Sequence, residues 1–330
     1  MYATGNKKML NMLILEILQE YSDENHRLTQ QEIIKLLYQN YGMECDRRSV
    51  KSNILSLKEM GYDISMEKRC YLVEREFEEV ELRLLIDSVL FSKNITSGQA
   101  KILIDKLRAQ ANKYFNVKVS HVANLPELFH ADNKQVMYAL NDINDAISQK
   151  KKISFDYNDY GPDFKLHHKR EGKYIVNPYQ MVANNGRYYL IGNYDKYDDI
   201  SHYRIDRMTD VEILPEKAKR ISQIKGMENG FSLPKHMAEH IYMFSGESVQ
   251  IKLLAKKSQM NELIDWFGKD FKILGEKEEE YLITLRCNER AMYYWALQYG
   301  PFVEILEPLQ LRTEIQEAIN EMQKKYGEER

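Results

Sequence analysis

Arg47, Arg48 and Lys51 stand within the run DRRSVK. On a helix that spacing turns Arg48, Lys51 and Ser52 to one side, with Ser49 beside them and Arg47 on the flank. Arginine reaches O6 and N7 of guanine and lysine reaches phosphate, so the chemistry on offer is contact with duplex DNA. A second group lies in HYRIDRM. In a strand, His202, Arg204 and Asp206 share one face, Tyr203 and Ile205 the other, and Arg207 follows at the strand end. A guanidinium fork suits phosphate and tyrosine rings suit a stacked base, which describes an anion or nucleotide site. A strand arginine beside a histidine also needs an anionic partner. A third group, His236-Met237-Ala238-Glu239-His240, fits the zinc-peptidase pattern H-x-x-E-H. Two histidines at i and i+4 share a face, but a metal needs a third ligand, and no downstream glutamate supplies one. The match is read as chance, and no metal is expected. G-x-x-x-x-G-K-[ST], G-x-G-x-x-G and G-x-S-x-G are absent, so neither a catalytic residue nor a cofactor is expected.

These residues need elements to hold them. A chain of 330 residues, 43% hydrophobic and 29% charged, has material for two or three domains and several cores. A net charge of -3 provides no overall basic field, so nucleic-acid binding must come from a local patch. The 23 tyrosines suit partly wet contact surfaces. Cys45, Cys70 and Cys287 are scattered, which argues against a zinc ribbon and a disulfide framework. The first residues, MYATGNKKML, lack a signal-peptide h-region, and no run approaches a membrane span, so a cytoplasmic protein without membrane contact is expected.

Leu10, Leu13, Ile14, Ile17, Leu18 and Tyr21 form one helical stripe. Thr29 to Glu32 is a capping box opening a second helix, whose inner face is Ile33, Ile34 and Leu37. Asp46 caps a third helix reaching about Met60, with Val50, Ile54 and Leu57 inward. YDISMEKRCYLV then reads as two short strands around a charged turn carrying Lys68 and Arg69. Alone, DRRSVK looks like any solvated helix face. Three helices and a wing make it a recognition helix, with Arg47, Arg48, Ser49, Lys51, Ser52, Lys68 and Arg69 as its DNA contacts.

The stretch DRRSVKSNILSLKEMGYDI resembles the recognition helix of bacterial WYL-domain transcriptional regulators. Arg47, Arg48, Val50, Leu57, Gly61, Tyr62 and Ile64 match the family pattern, while Ser52 and Asn53 stand where it has Arg-Asp. The resemblance is strongest at NNGRYYLIGNYDKYDDISHYRIDRM, which is similar to the WYL-domain signature. There Tyr188-Tyr189-Leu190 takes the place of Trp-Tyr-Leu, Tyr203 to Met208 matches F-R-L-D-R-I, and Ser201 replaces a frequent Arg. It implies an effector surface for a charged ligand, a nucleotide or single-stranded nucleic acid. Tyr157, Lys173, Tyr189, His202, Arg204 and Arg207 are the residues expected to form it. Tyr188, Leu190, Tyr203 and Ile205 are expected in the core.

Between the two stretches the period is helical. Phe77, Val80, Leu84, Leu85 and Val89 make an amphipathic stretch, Ile102, Leu103, Ile104 and Leu107 a second, VKVSHVANLPELFH reads as a loop or short elements, and Val136 to Ile147 is helical again. From Lys152 the period becomes 2, with a turn at Asn158 to Pro162 and a hairpin turn at Asn184-Asn185-Gly186. Five short strands suggest a small barrel of the SH3 or Sm kind. His167-His168 reads as polar loop. From residue 246 the order is β-α-β-β-α-β, the ferredoxin-like arrangement, with Tyr293, Tyr294, Trp295, Leu297 and Phe302 in its core. WALQYGPFVEILEP resembles the C-terminal extension of WYL regulators. The expected architecture is α+β and multidomain: a winged helix-turn-helix domain over 1–75, a helical connector over 76–149, a WYL-like barrel over 150–215, a linker over 216–245 and a ferredoxin-like extension over 246–330. The expected function is a ligand-responsive regulator, a homodimer on a double-stranded operator. The alternative is a non-regulatory nucleic-acid-binding accessory protein of a defence or repair system.

Overall fold

The stripe of Leu10, Leu13, Ile14, Ile17 and Leu18 is buried along helix α1, Leu10–Tyr21. The computed structural model describes residues 7–93, 95–118, 135–228 and 230–327. They fall into two units, Met1–Asp132 and Asn133–Arg330. Helix α2, Gln30–Tyr41, opens on the expected box: Thr29 Oγ1 accepts from the Glu32 amide, and the Glu32 carboxylate accepts from the Thr29 amide. Gly42 ends it at φ 64°, a left-handed conformation that glycine adopts without a Cβ clash. Helix α3, Arg47–Glu59, is capped by Asp46, whose carboxylate accepts from the Ser49 amide at 2.8 Å. Val50, Ile54 and Leu57 point inward. Strands β1, Ile64–Ser65, and β2, Tyr71–Leu72, pair antiparallel, and Leu28 bridges to Cys70 beside them. One core joins all three helices and the hairpin.

Helices α4, Glu79–Leu90, α5, Ser97–Arg108, and α6, Lys113–Lys118, follow in the first unit. Of the expected amphipathic stretch, Phe77 and Val89 pack against the core of these helices, but three residues on α4 do not. Leu82, Ile86 and Leu90 are buried, whereas Val80, Leu84 and Leu85 are exposed. Apolar residues occur nearly all round this helix, so periodicity cannot choose a side; packing with Ile104 and Phe115 does. The stretch VKVSHVANLPELFH, expected as a loop or short elements, lies outside the described residues beyond Lys118.

Helix α7, Val136–Gln149, was expected within the connector, but it buries Val136, Ala139, Ile143 and Ala146 in the core of the sheet that follows. That sheet comprises β3, Lys151–Tyr160, β4, Leu166–His168, β5, Tyr174–Asn184, β6, Arg187–Tyr194, β7, Ser201–Arg204, and β8, Met208–Lys217. Its order is β4-β3-β5-β6-β7, with β8 also on β3. Strand β3 runs through the expected turn at 158–160, and the chain reverses after Gly161. His167 and His168, expected in a loop, therefore lie on β4. Asn185 and Gly186, both at positive φ, make the hairpin turn as expected. No ladder joins β7 to β8 among the described residues, so the sheet is a half-barrel rather than a closed one. Gly192 allows close approach of β5 and β6: a Cβ there would stand 2.9 Å from the Asn177 carbonyl oxygen.

The stretch expected as a polar linker is packed. Ile224 and Met243 are buried with Val182, Ile191 and Ile200, and Phe231, Leu233 and Met237 lie against them. It carries a 3₁₀ turn, Ile221–Gln223, and helix α8, Leu233–Glu239. Then follow β9, Ser248–Lys256, α9, Met260–Phe267, β10, Phe271–Glu276, β11, Glu280–Asn288, α10, Glu289–Gln298, β12, Val303–Glu307, and α11, Leu309–Gly327. The strands form one antiparallel sheet in the order β10-β11-β9-β12. Trp295 is fully buried, but Tyr294 and Phe302, expected in this core, are exposed. Among the described residues no helix is long and apolar enough to cross a membrane.

Candidate nucleic-acid and effector sites

The first half of α3 carries the DNA-contact candidates. Arg47, Arg48, Lys51 and Ser52 are exposed, and Ser49 is half-buried because its amide serves the Asp46 cap. Arg47 donates to Gln31 Oε1 at 2.7 Å, which ties its guanidinium to α2. Lys68 and Arg69 are exposed in the wing turn, and Arg69 reaches the Arg27 carbonyl at 3.4 Å. The pattern follows from α3 itself: one apolar stripe fixes which way the remaining side chains face.

The effector candidates divide into several groups. Antiparallel register sets Tyr189 opposite Arg204. Arg204 grips Asp206 through two bonds, Nε to Oδ1 at 3.1 Å and Nη2 to Oδ2 at 2.7 Å. Arg187 Nη1 reaches the same Oδ2 at 2.8 Å. Two guanidinium groups thus share one buried carboxylate, leaving an excess positive charge beside the half-buried Tyr189. Burial works against the charge on Arg204, yet the hydrogen bond and charge of Asp206 outweigh it and push its pKa upward. Burial pushes the Tyr189 hydroxyl up, although the neighbouring arginines oppose that.

The expected alternation breaks after Arg204, where Ile205–Arg207 forms a 3₁₀ turn. Asp206 therefore sits beneath the arginines, and the anionic partner that Arg204 requires is supplied within the chain. Tyr157 belongs to the core. Its hydroxyl accepts the Arg204 amide at 3.1 Å, and its ring meets Tyr203 edge-on at 5.5 Å. Lys173 pairs with Glu212 at 2.8 Å. Arg207 pairs with Asp159 at 2.8 Å, while its buried Nε has no hydrogen-bond partner among the described residues. Leu190, Tyr203 and Ile205 are buried as expected, but Tyr188 is exposed because it precedes the covered part of β6.

Arg187 was missed. It follows a turn where charge is common, and only the register continuing from Tyr189–Arg204 brings it to Asp206. His202, expected to face an effector, turns instead to His236, with Nε2 to Nε2 at 2.7 Å. His202, His236 and His240 gather in one cluster. Burial, helped by mutual repulsion, holds His202 well below the usual imidazole range and His236 down to about 3; burial lowers His240 as well.

Residues 138–213 match the family model of the WYL domain, and residues 247–323 that of the WCX domain. The chain belongs to the WYL-domain transcriptional regulator family. The WYL match runs from α7 to β8, so α7 is part of that domain, and the paired Arg187, Arg204 and Asp206 lie inside it. A relative in Bacillus subtilis (strain 168), the uncharacterized HTH-type transcriptional regulator YobV, is 24% identical over 267 residues, 78% of this chain and 79% of its own. Among solved structures, proteasome accessory factor B/C of Arthrobacter aurescens is similar at 14% identity with a TM-score of 0.29, over 95% of this chain. The chain spans about half, 53%, of that protein's length. A CRISPR Cas-related protein is similar at 14% identity and a TM-score of 0.42, over 97% of this chain and 85% of its own.

Proposed function

We propose that this WYL-domain protein is a ligand-responsive, DNA-binding transcriptional regulator. The reading treats the three helices and hairpin of the first unit as a winged helix, the WYL half-barrel as a Sm/SH3-like effector domain, and the last sheet as a ferredoxin-like extension. The observation that carries it is the start of α3, where Arg48, Lys51 and Ser52 are exposed opposite a buried Val50-Ile54-Leu57 stripe, with Lys68 and Arg69 in the wing. The name of the Bacillus subtilis relative supports it. The protein acts as a homodimer, since two recognition helices then read two half-sites. The effector is an anion, a nucleotide or single-stranded nucleic acid, drawn by the surplus charge of Arg187 and Arg204, with Tyr189 as the stacking surface. It controls DNA binding to the extent that its affinity differs between the two states. The protein is cytoplasmic and performs no catalysis.

The deciding experiment measures binding of purified protein to DNA from upstream of its own gene, against scrambled duplex and single strands. Discrimination of the native duplex by at least about tenfold supports the regulator. Equal weak binding to every duplex, with tighter single-strand binding, overturns it in favour of a nucleic-acid accessory protein.

A further inference from the structure

H-x-x-E-H at 236–240 has no third ligand downstream, but the fold supplies one from upstream. Strand β7 carries His202 to His236, their Nε2 atoms 2.7 Å apart. The His236 and His240 rings stack with centroids 4.1 Å apart, and the His202 and His240 centroids are 5.0 Å apart. One ligand nitrogen from each ring lies within 4.8 Å of the other two. We infer that His202, His236 and His240 form a binding site for one divalent transition-metal ion, zinc by preference.

The ligand chemistry selects that class. Three imidazoles without a thiolate suit zinc, copper, nickel or iron, and are a poor match for magnesium or calcium, which want oxygen. Four-coordinate zinc with bonds of about 2.0–2.1 Å sets its ligand nitrogens roughly 3.3 Å apart. The distances here, 2.7 Å between His202 and His236 and all within 4.8 Å, bracket that value. His240 is prepared for the task. Its Nδ1 lies 3.0 Å from the His236 carbonyl oxygen, and a nitrogen against a carbonyl donates, which fixes the orientation of the ring.

Two further features are compatible with an occupant. His236, Glu239 and His240 line a cavity of about 870 Å³, room for water or an anion to take a fourth coordination position. Glu239 Oε1 is buried without a hydrogen-bond partner among the described residues, with Lys235 Nζ 4.0 Å away. A metal-bound water is a donor that would relieve it. The ion would join β7 to the segment carrying α8, clamping the strand that bears Arg204. This inference stands whether or not Arg204 meets an effector.

The test uses the full chain, freed of any purification tag and stripped of metal, then dialysed against buffered Zn²⁺ or Co²⁺. Elemental analysis is expected to give one ion per chain, and Co²⁺ to give the strong visible absorption of a tetrahedral site. His202→Gln and His236→Gln each weaken binding at least tenfold and abolish the zinc-dependent rise in Tm, whereas His167→Gln changes neither. Wild-type protein that binds no stoichiometric ion overturns the inference, as does binding that survives in both variants. Because wild-type occupancy decides first, a variant that misfolds does not rescue the idea.

Discussion

Arg48 and Arg204 are both strand or helix arginines in charged runs, yet their surroundings assign them different work. Arg48 is exposed on α3, whereas Arg204 is held by Asp206 beside Arg187. Arg48→Ala is expected to reduce operator affinity at least tenfold, since one bidentate base contact contributes about 1–3 kcal/mol. Arg204→Ala is expected to leave operator binding intact and remove the response to a nucleotide or single strand. A full response in Arg204→Ala, read by anisotropy, would show that the effector binds elsewhere. Asp195 gives a pH prediction. The hydrogen bond from Lys152 at 2.9 Å outweighs burial, and its carboxyl titrates below the usual value. A depressed carboxylate contributes stability above its unfolded pKa, about 4, and loses it as pH falls through the folded value. Asp195→Asn is therefore less stable at neutral pH and approaches wild type under acid, as denaturant titrations at several pH values would show.

At the scale of elements, local signals were legible wherever chemistry is local. The Thr29–Glu32 box, the Asp46 cap and the Asn185-Gly186 turn each satisfy or bend backbone within four residues, and all three are present. Asp46→Ala removes the acceptor for the Ser49 amide and is expected to cost about 1 kcal/mol, measured by thermal or urea denaturation. No change in stability would mean that water caps α3 equally well. Faces and boundaries were less legible. On α4 too many apolar residues left the buried side to α5, and α7 was joined to the sheet by packing that its own sequence does not announce. The segment after β8 read as a linker because its apolar residues are interrupted by charged and glycine residues without a sustained period, though Ile224 and Met243 are buried.

For the whole molecule, a chain of net charge -3 must bind DNA through a local patch, so its affinity is expected to fall steeply with salt. If Lys51 contacts phosphate, Lys51→Ala lowers the slope of log K against log salt by about 1 and weakens all duplexes alike. An unchanged slope would remove Lys51 from the contact. The sequence by itself determined most of the helical and extended regions, the Thr29 and Asp46 caps, the Asn185-Gly186 turn, and the family, because each depends on neighbours in the chain or on short motifs. It also placed the basic cluster on α3, since one apolar stripe orients that helix. Tertiary structure alone decided what the buried polar groups pair with. Arg187 meets Asp206 across 19 residues, and His202 meets His236 across 34. Such partners depend on strand register and on how a later segment packs back over the sheet, distances in space that no local spacing encodes.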